Sequence, residues 1–307
     1  MESIIKKNIA VVGAGIVVIV VLIATILILP FKPYDYGDTN ILNMLDFSNW
    51  YFQDENVLGL TEKTNNANSA TTVITTSFPV AYLAFVRTTF ENQQELFNLY
   101  KPYLLAGDYV STISISPPNP AQNLEQLPFS SDKSKGVTYF SLDEIRNNIQ
   151  SLRQRGVGFI GYDLESEGSP TSDQTHPVAS LREAYKDVHQ HGLKFLAIPG
   201  YPFNTNAYVS QFAPYADIYV IQAQSNESQP LVYQSSVKSQ IDALKAVNPN
   251  IRIITELSTN KGTVLDMQKS FSMVAQYVDG VTVWQESVKD LSKVKRFLEW
   301  YDRNYRQ

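Results

Sequence analysis

The sequence predicts an α/β chain closed into a TIM-like (β/α)8 barrel, distorted near 117–135, behind one N-terminal transmembrane helix. Three observations carry this. From Pro79 onward, short β-branched runs alternate with helical segments, the pattern of right-handed βαβ units and a parallel sheet. Counting from Val80 gives eight strands. The fourth, Gly156-Val157-Gly158-Phe159-Ile160-Gly161-Tyr162-Asp163-Leu164-Glu165, has an apolar back and ends in two carboxylates on its other face. In such barrels the chemistry sits at the C-terminal ends of the strands.

Bulk properties narrow the class. The chain has 307 residues, 44% hydrophobic and 18% charged. The charged share lies below the usual ~25%, and uncharged polar residues and Tyr fill the gap, as in proteins that work outside the cell. Formal net charge is −5, with no basic run, so a nucleic-acid partner is not expected. Cysteine is absent, which excludes disulfides, thiolate metal sites and a Cys nucleophile. Of the three histidines, His189 and His191 end one predicted helix. A histidine zinc site is therefore not expected, nor is any cofactor.

Residues 1–30 read as a membrane anchor. Ile9 to Leu29 is uncharged and long enough to span a bilayer. Lys6 and Lys7 before it place the N-terminus in the cytoplasm, and no small-residue cleavage site ends the run. The lipid bilayer is thus an expected partner through residues 9–29. Residues 31–78 read as a stalk and extension, and 79–307 as the barrel, outside the membrane.

The barrel elements follow in order. Val80–Val86 is a strand, Phe90–Leu105 a helix and Tyr109–Ser116 a strand dense in β-branched residues. The Pro- and Ser-rich stretch 117–135 has no clear helix, and Val137–Phe140 is a short strand. Ser141 and Glu144 have capping-box spacing, opening a helix that Gly156 stops. After the fourth strand, Pro177 opens a helix at a favoured first-turn position, and Gly192 closes it. Strands follow at Leu193–Ile198, Ile218–Ala223, Ile251–Leu257 and Gly280–Trp284. Helices lie near Ser235–Val247, from Thr263 to Tyr277, and up to about Tyr305.

Side chains on a strand alternate faces. Phe159, Gly161, Asp163 and Glu165 therefore share one face; Ile160, Tyr162 and Leu164 share the other. The same parity puts Val220, Gln222 and Gln224 together, and Glu256 with Ser258 if Ile253 and Leu257 face helices. Strand eight ends at Trp284, and strand five leads to Tyr201. Acids, amides and aromatics around one mouth suit a glycan. Asn226-Glu227-Ser228 is a glycosylation sequon at this end.

These residues resemble glycoside hydrolase family 18, the chitinase-like barrels. That family ends its fourth strand in Asp-Gly-x-Asp-x-Asp-x-Glu; Gly158 to Glu165 matches the last Asp and the Glu. Gln222-Ala223-Gln224 matches the Gln, but not the Tyr, of its sixth-strand motif, and Val281-Thr282-Val283-Trp284 resembles its eighth. The resemblance implies Glu165 as general acid, with Asp163 orienting the substrate's N-acetyl group, which acts as nucleophile. Gly158 and Gly161 replace two acids of the motif.

Three readings follow. One is a membrane-anchored hydrolase with catalytic Glu165 and Asp163 and substrate-binding Gln222, Gln224, Trp284, Tyr201 and Glu256. A general acid must hold its proton near working pH, and Asp163 beside Glu165 would push in that direction. The second is an inactive glycan-binding or scaffold barrel. The third is a metal-assisted hydrolase with Asp163, Glu165, Glu256 and Glu286 around Mg²⁺ or Ca²⁺, which take oxygen ligands.

Overall fold

The computed structural model describes residues 81–87, 98–113, 135–285 and 288–306. The predicted anchor 9–29, the extension 31–78, most of the stretch 117–135 and Glu286 lie outside the described residues. Among the described residues, no helix is long and apolar enough to cross a membrane.

Eight strands close in sequence order: β1 Ala81–Arg87, β2 Tyr109–Ile113, β3 Lys135–Tyr139, β4 Phe159–Leu164, β5 Lys194–Pro199, β6 Ile218–Gln222, β7 Arg252–Ser258 and β8 Gly280–Trp284. Each pairs in parallel with its neighbours, and β8 pairs with β1. The helices are α1 Leu142–Gln154, α2 Thr171–Thr175, α3 Pro177–Gln190, α4 Asn206–Phe212, α5 Pro230–Val247, α6 Val264–Val274 and α7 Leu291–Tyr305.

The predicted third strand is a full member of the barrel, despite its short apolar run. Gly136 at its start leaves space that the Phe159 ring fills; a Cβ there would lie 2.2 Å from that ring. The strand is buried by its neighbour's side chain rather than by its own. Gly156 and Gly192 stop their helices at φ +75° and +72°, where a Cβ is disfavoured.

Several local expectations need correction. Ser141 makes no side-chain cap bond; the Leu142 N–H goes instead to Asp173 Oδ2 at 2.9 Å. The true capping box is Thr263 with Asp266. Helix α5 begins at Pro230, five residues before Ser235, because Tyr233 docks it: its hydroxyl donates to the Glu256 carbonyl at 2.9 Å. Helices α2 and α4 carry too few residues to show a helical period.

The two faces of each strand separate cleanly. Ile160, Tyr162 and Leu164 join α1's Ile145 and Ile149 and α3's Leu181 and Val188 in the outer apolar layer. Leu83, Phe85, Phe159, Ile198, Val220 and Ile254 fill the inside. Emptying one such place costs about 2–5 kcal/mol.

Register fixes height as well as face. Carried strand to strand, Asp163 lies opposite Ile198, Val220, Ile254, Gly280 and Ala81. Extended past the strand ends, the circuit closes eight residues below its start, the shear of a (β/α)8 barrel. Residues at one height therefore climb about one place per strand. Asp163, Gln222, Trp284 and Ile113 then form one layer from the even strands. Glu256 and Ile198 lie just below it, Gly200 and Ser258 just above.

The N-terminal rim has its own device. Asp108, Asp217 and Asp279 immediately precede β2, β6 and β8. Each accepts the N–H of the second residue of the previous strand: Tyr82 at 2.9 Å, Phe195 at 2.7 Å and Ile253 at 2.8 Å. Asp108 also accepts from the Leu105 N–H and forms a buried ion pair with Arg306.

Candidate active site at the C-terminal mouth

The mouth is built from the ends of β4 to β8. Asp163, on β4, is 5% exposed, and its Oδ1 has no hydrogen-bond partner among the described residues. Burial pushes its carboxyl well above the ordinary range, and the neighbouring carboxyls of Glu165 and Glu256 push the same way. Both effects favour the protonated form of Asp163.

Glu165 follows the last residue of β4 and is half-buried. Its N–H donates to Ser169 Oγ at 3.1 Å, and that hydroxyl donates to the Asp163 carbonyl at 3.1 Å. This closes the strand end into a tight turn. Gly200, after β5, lies against Glu165 and Gln222. A Cβ on Gly200 would sit 2.8 Å from Glu165 Cβ, 2.9 Å from its Oε2 and 2.9 Å from Gln222 Oε1. The carboxylate and the amide thus converge over a backbone that has no side chain. Only glycine admits both.

Gln224 turns away from this pair. Its Nε2 donates to Glu256 Oε1 at 2.8 Å, and Glu256 is 2% exposed. Trp284, half-buried, meets the Phe85 ring edge-on at 6.0 Å between centroids. Tyr201 is 67% exposed on the β5 loop, tied to the β4 loop through the Ser166 N–H, which donates to its carbonyl at 3.1 Å. All seven residues singled out from the sequence thus lie at one end of the barrel. Asp163, Gln222 and Trp284 share a layer, Glu165 and Gln224 stand above it, and Glu256 lies below.

Two residues escaped sequence reading. Gly200 sits in Pro199-Gly200-Tyr201-Pro202, a turn by composition, and nothing in that string points to the carboxylate above it. Glu227 reads as the middle of a glycosylation sequon, yet it is fully buried and Asn226 half-buried, so the sequon is not the exposed site expected. Its Oε2 accepts the Ser258 N–H at 2.6 Å; its Oε1 is unpartnered among the described residues. Burial raises its carboxyl to about 8, against the Ser258 bond and Lys293, with Asp266 adding to the rise.

Among the described residues, no group of three or more His, Cys, Asp or Glu is placed to hold a metal ion. Glu286, the fourth ligand of the metal reading, lies outside them.

The chain is a (β/α)8-barrel protein with an acid- and amide-lined C-terminal mouth. No family model and no curated protein sequence matches it. Solved structures are similar to it at low identity. A chitinase from Chromobacterium violaceum is 12% identical, with 71% of this chain and 99% of that one covered and a TM-score of 0.46. A spore cortex-lytic enzyme of Bacillus megaterium is 12% identical over 71% and 73%, with a TM-score of 0.48. The N-terminal domain of a putative aldolase from Bacteroides vulgatus is 11% identical over 74% and 88%, at 0.48.

Proposed function

We propose that the chain is a glycoside-hydrolase-like barrel that acts on a glycan outside the cell, held to the membrane by residues 9–29. One observation carries the reading: a buried Asp163, whose carboxyl is pushed upward, lies beneath the half-buried Glu165, and Gln222 converges with Glu165 over Gly200. Glu165 gives its proton to the leaving glycosidic oxygen as the bond to the anomeric carbon breaks. Water then adds to that carbon and returns a proton to Glu165. Asp163, neutral, donates a hydrogen bond to the substrate, and Gln222 fixes a sugar substituent. Trp284 and Tyr201 offer ring faces.

Glu165→Gln removes the transferable proton and keeps the shape. Turnover of N-acetylated oligosaccharides should fall by about 10²–10⁴, with binding retained. Equal turnover in the variant would sink the assignment. The second reading is a binding barrel without turnover; it is favoured by the bond that commits the Gln224 amide to Glu256. Wild-type protein that binds such oligosaccharides and leaves them intact would select it. Protease added to intact cells should digest the barrel, and protection until lysis would reverse the orientation.

A further inference from the structure

We propose that Glu256 is a positioning residue of this mouth, clamped by Gln224, which acts on Asp163 past Gln222 and helps to keep the proton there. The proposal takes its use from the hydrolase reading, but its test does not need turnover.

Glu256 faces inward on β7 and stands within about one residue of the Asp163 layer once the barrel's stagger is followed. Between β4 and β7 the wall presents Gln222 at that height, Ile198 below it, and Gly200, without a side chain, above. At 2% exposure a carboxylate needs partners, and Gln224 Nε2 supplies one at 2.8 Å. Tyr233 holds the backbone of the same residue through the Glu256 carbonyl at 2.9 Å. Glu256 is therefore fixed from its side chain and from its backbone, whereas Asp163 Oδ1 has no hydrogen bond among the described residues.

Charge decides the consequence. Burial acts on Asp163 first, and the acids that add to it are Glu165, two residues on, and then Glu256. At this height the described inward side chains of the other strands carry no charge: Phe85, Ile113, Thr138, Ile198, Gln222 and Trp284. A hydrogen bond to an ionised carboxylate stabilises its charged form, and that charge holds the proton on a like neighbour. Gln224 donates such a bond to Glu256. With Asp163 neutral, Glu165 takes and gives its proton without a second charge next to it on β4.

The test uses the full chain labelled with ¹³C at the aspartate side-chain carboxyl, with Asp163→Asn to assign the signal. Glu256→Gln should shift the Asp163 titration midpoint downward. Gln224→Met, which leaves the carboxyl but removes its clamp, should shift it the same way by less, and decides the matter if Glu256→Gln does not fold. An Asp163 midpoint equal to that of the wild type overturns the proposal. If the wild type turns over N-acetylated oligosaccharides, Glu256→Gln should move the alkaline limb of its pH profile down and lower kcat more than it changes KM. A midpoint that moves in a protein without turnover supports the coupling and removes the hydrolase reading. Turnover with a fixed midpoint does the reverse.

Discussion

The two ends of the barrel use the same residue types to opposite effect. At the N-terminal rim, Asp108, Asp217 and Asp279 each accept a backbone N–H from the preceding strand. Their charge is spent on donors that would otherwise lack partners at the strand edges. At the C-terminal mouth, Asp163 has an oxygen without a partner and two carboxyls for company. The rim acids contribute stability. The mouth acids are held against it, as functional groups often are. What separates Asp163 from the rim acids is its surroundings: each rim carboxyl meets backbone donors, whereas Asp163 is buried with one oxygen unpartnered among the described residues and with acids as neighbours.

The largest effect should come from the rim. Asp108→Ala leaves Arg306 buried without its partner and orphans two N–H groups, and should cost about 3–5 kcal/mol. Denaturant unfolding reads this as a lower midpoint at unchanged slope. An unchanged midpoint would mean that the rim contributes nothing. Gly200→Ala comes next. The new methyl meets Glu165 and Gln222, for a loss of about 1–3 kcal/mol and of glycan affinity measured by calorimetry. Full binding by a stably folded variant would show that the two groups need not converge there.

Asp163→Asn is the sharpest contrast, since the same change at the rim destabilises. The folded-state value of Asp163 is raised, so its contribution to stability is complete at low pH. It is lost as pH climbs from the ordinary carboxylate range toward the folded value. The amide does not titrate. The variant should match or exceed wild-type stability at neutral pH, with a gap that widens as pH rises. A gap that narrows would contradict the raised value.

The last prediction lies beside the mouth. Glu227 titrates near 8 when folded, against an ordinary 4.5, so wild-type stability should decline between those values and level off above them. Glu227→Gln keeps an acceptor for the Ser258 N–H and should flatten that decline in a pH series of unfolding curves. An unchanged slope would place the proton elsewhere.

Much of this was legible before folding. Eight strands, their order and the fourth position of the acidic strand follow from alternation alone, since short parallel connections leave few other topologies. So does parity: Asp163 with Glu165, and Glu256 with Ser258, fall inward because side chains on a strand repeat every two residues. Ser141 does hold the N-cap position but makes no side-chain bond; the bond that ties the helix start, from the Leu142 N–H to Asp173, spans 31 residues and no local pattern announces it. Glu227 was missed because its burial depends on α6 and β7, which no local pattern connects to it.

The sequence by itself determined which strands exist and which face each residue takes, because both depend on local periods of two and 3.6 residues. Only the tertiary structure decided height and protonation. Height comes from the eight-residue stagger of closure, a property of the whole circuit that no strand carries alone. That stagger brings Asp163 level with Gln222 and Trp284 and close to Glu256. Protonation then follows, because a carboxyl's energy depends first on its burial and then on the distance to its neighbours, and both exist only once the barrel has closed.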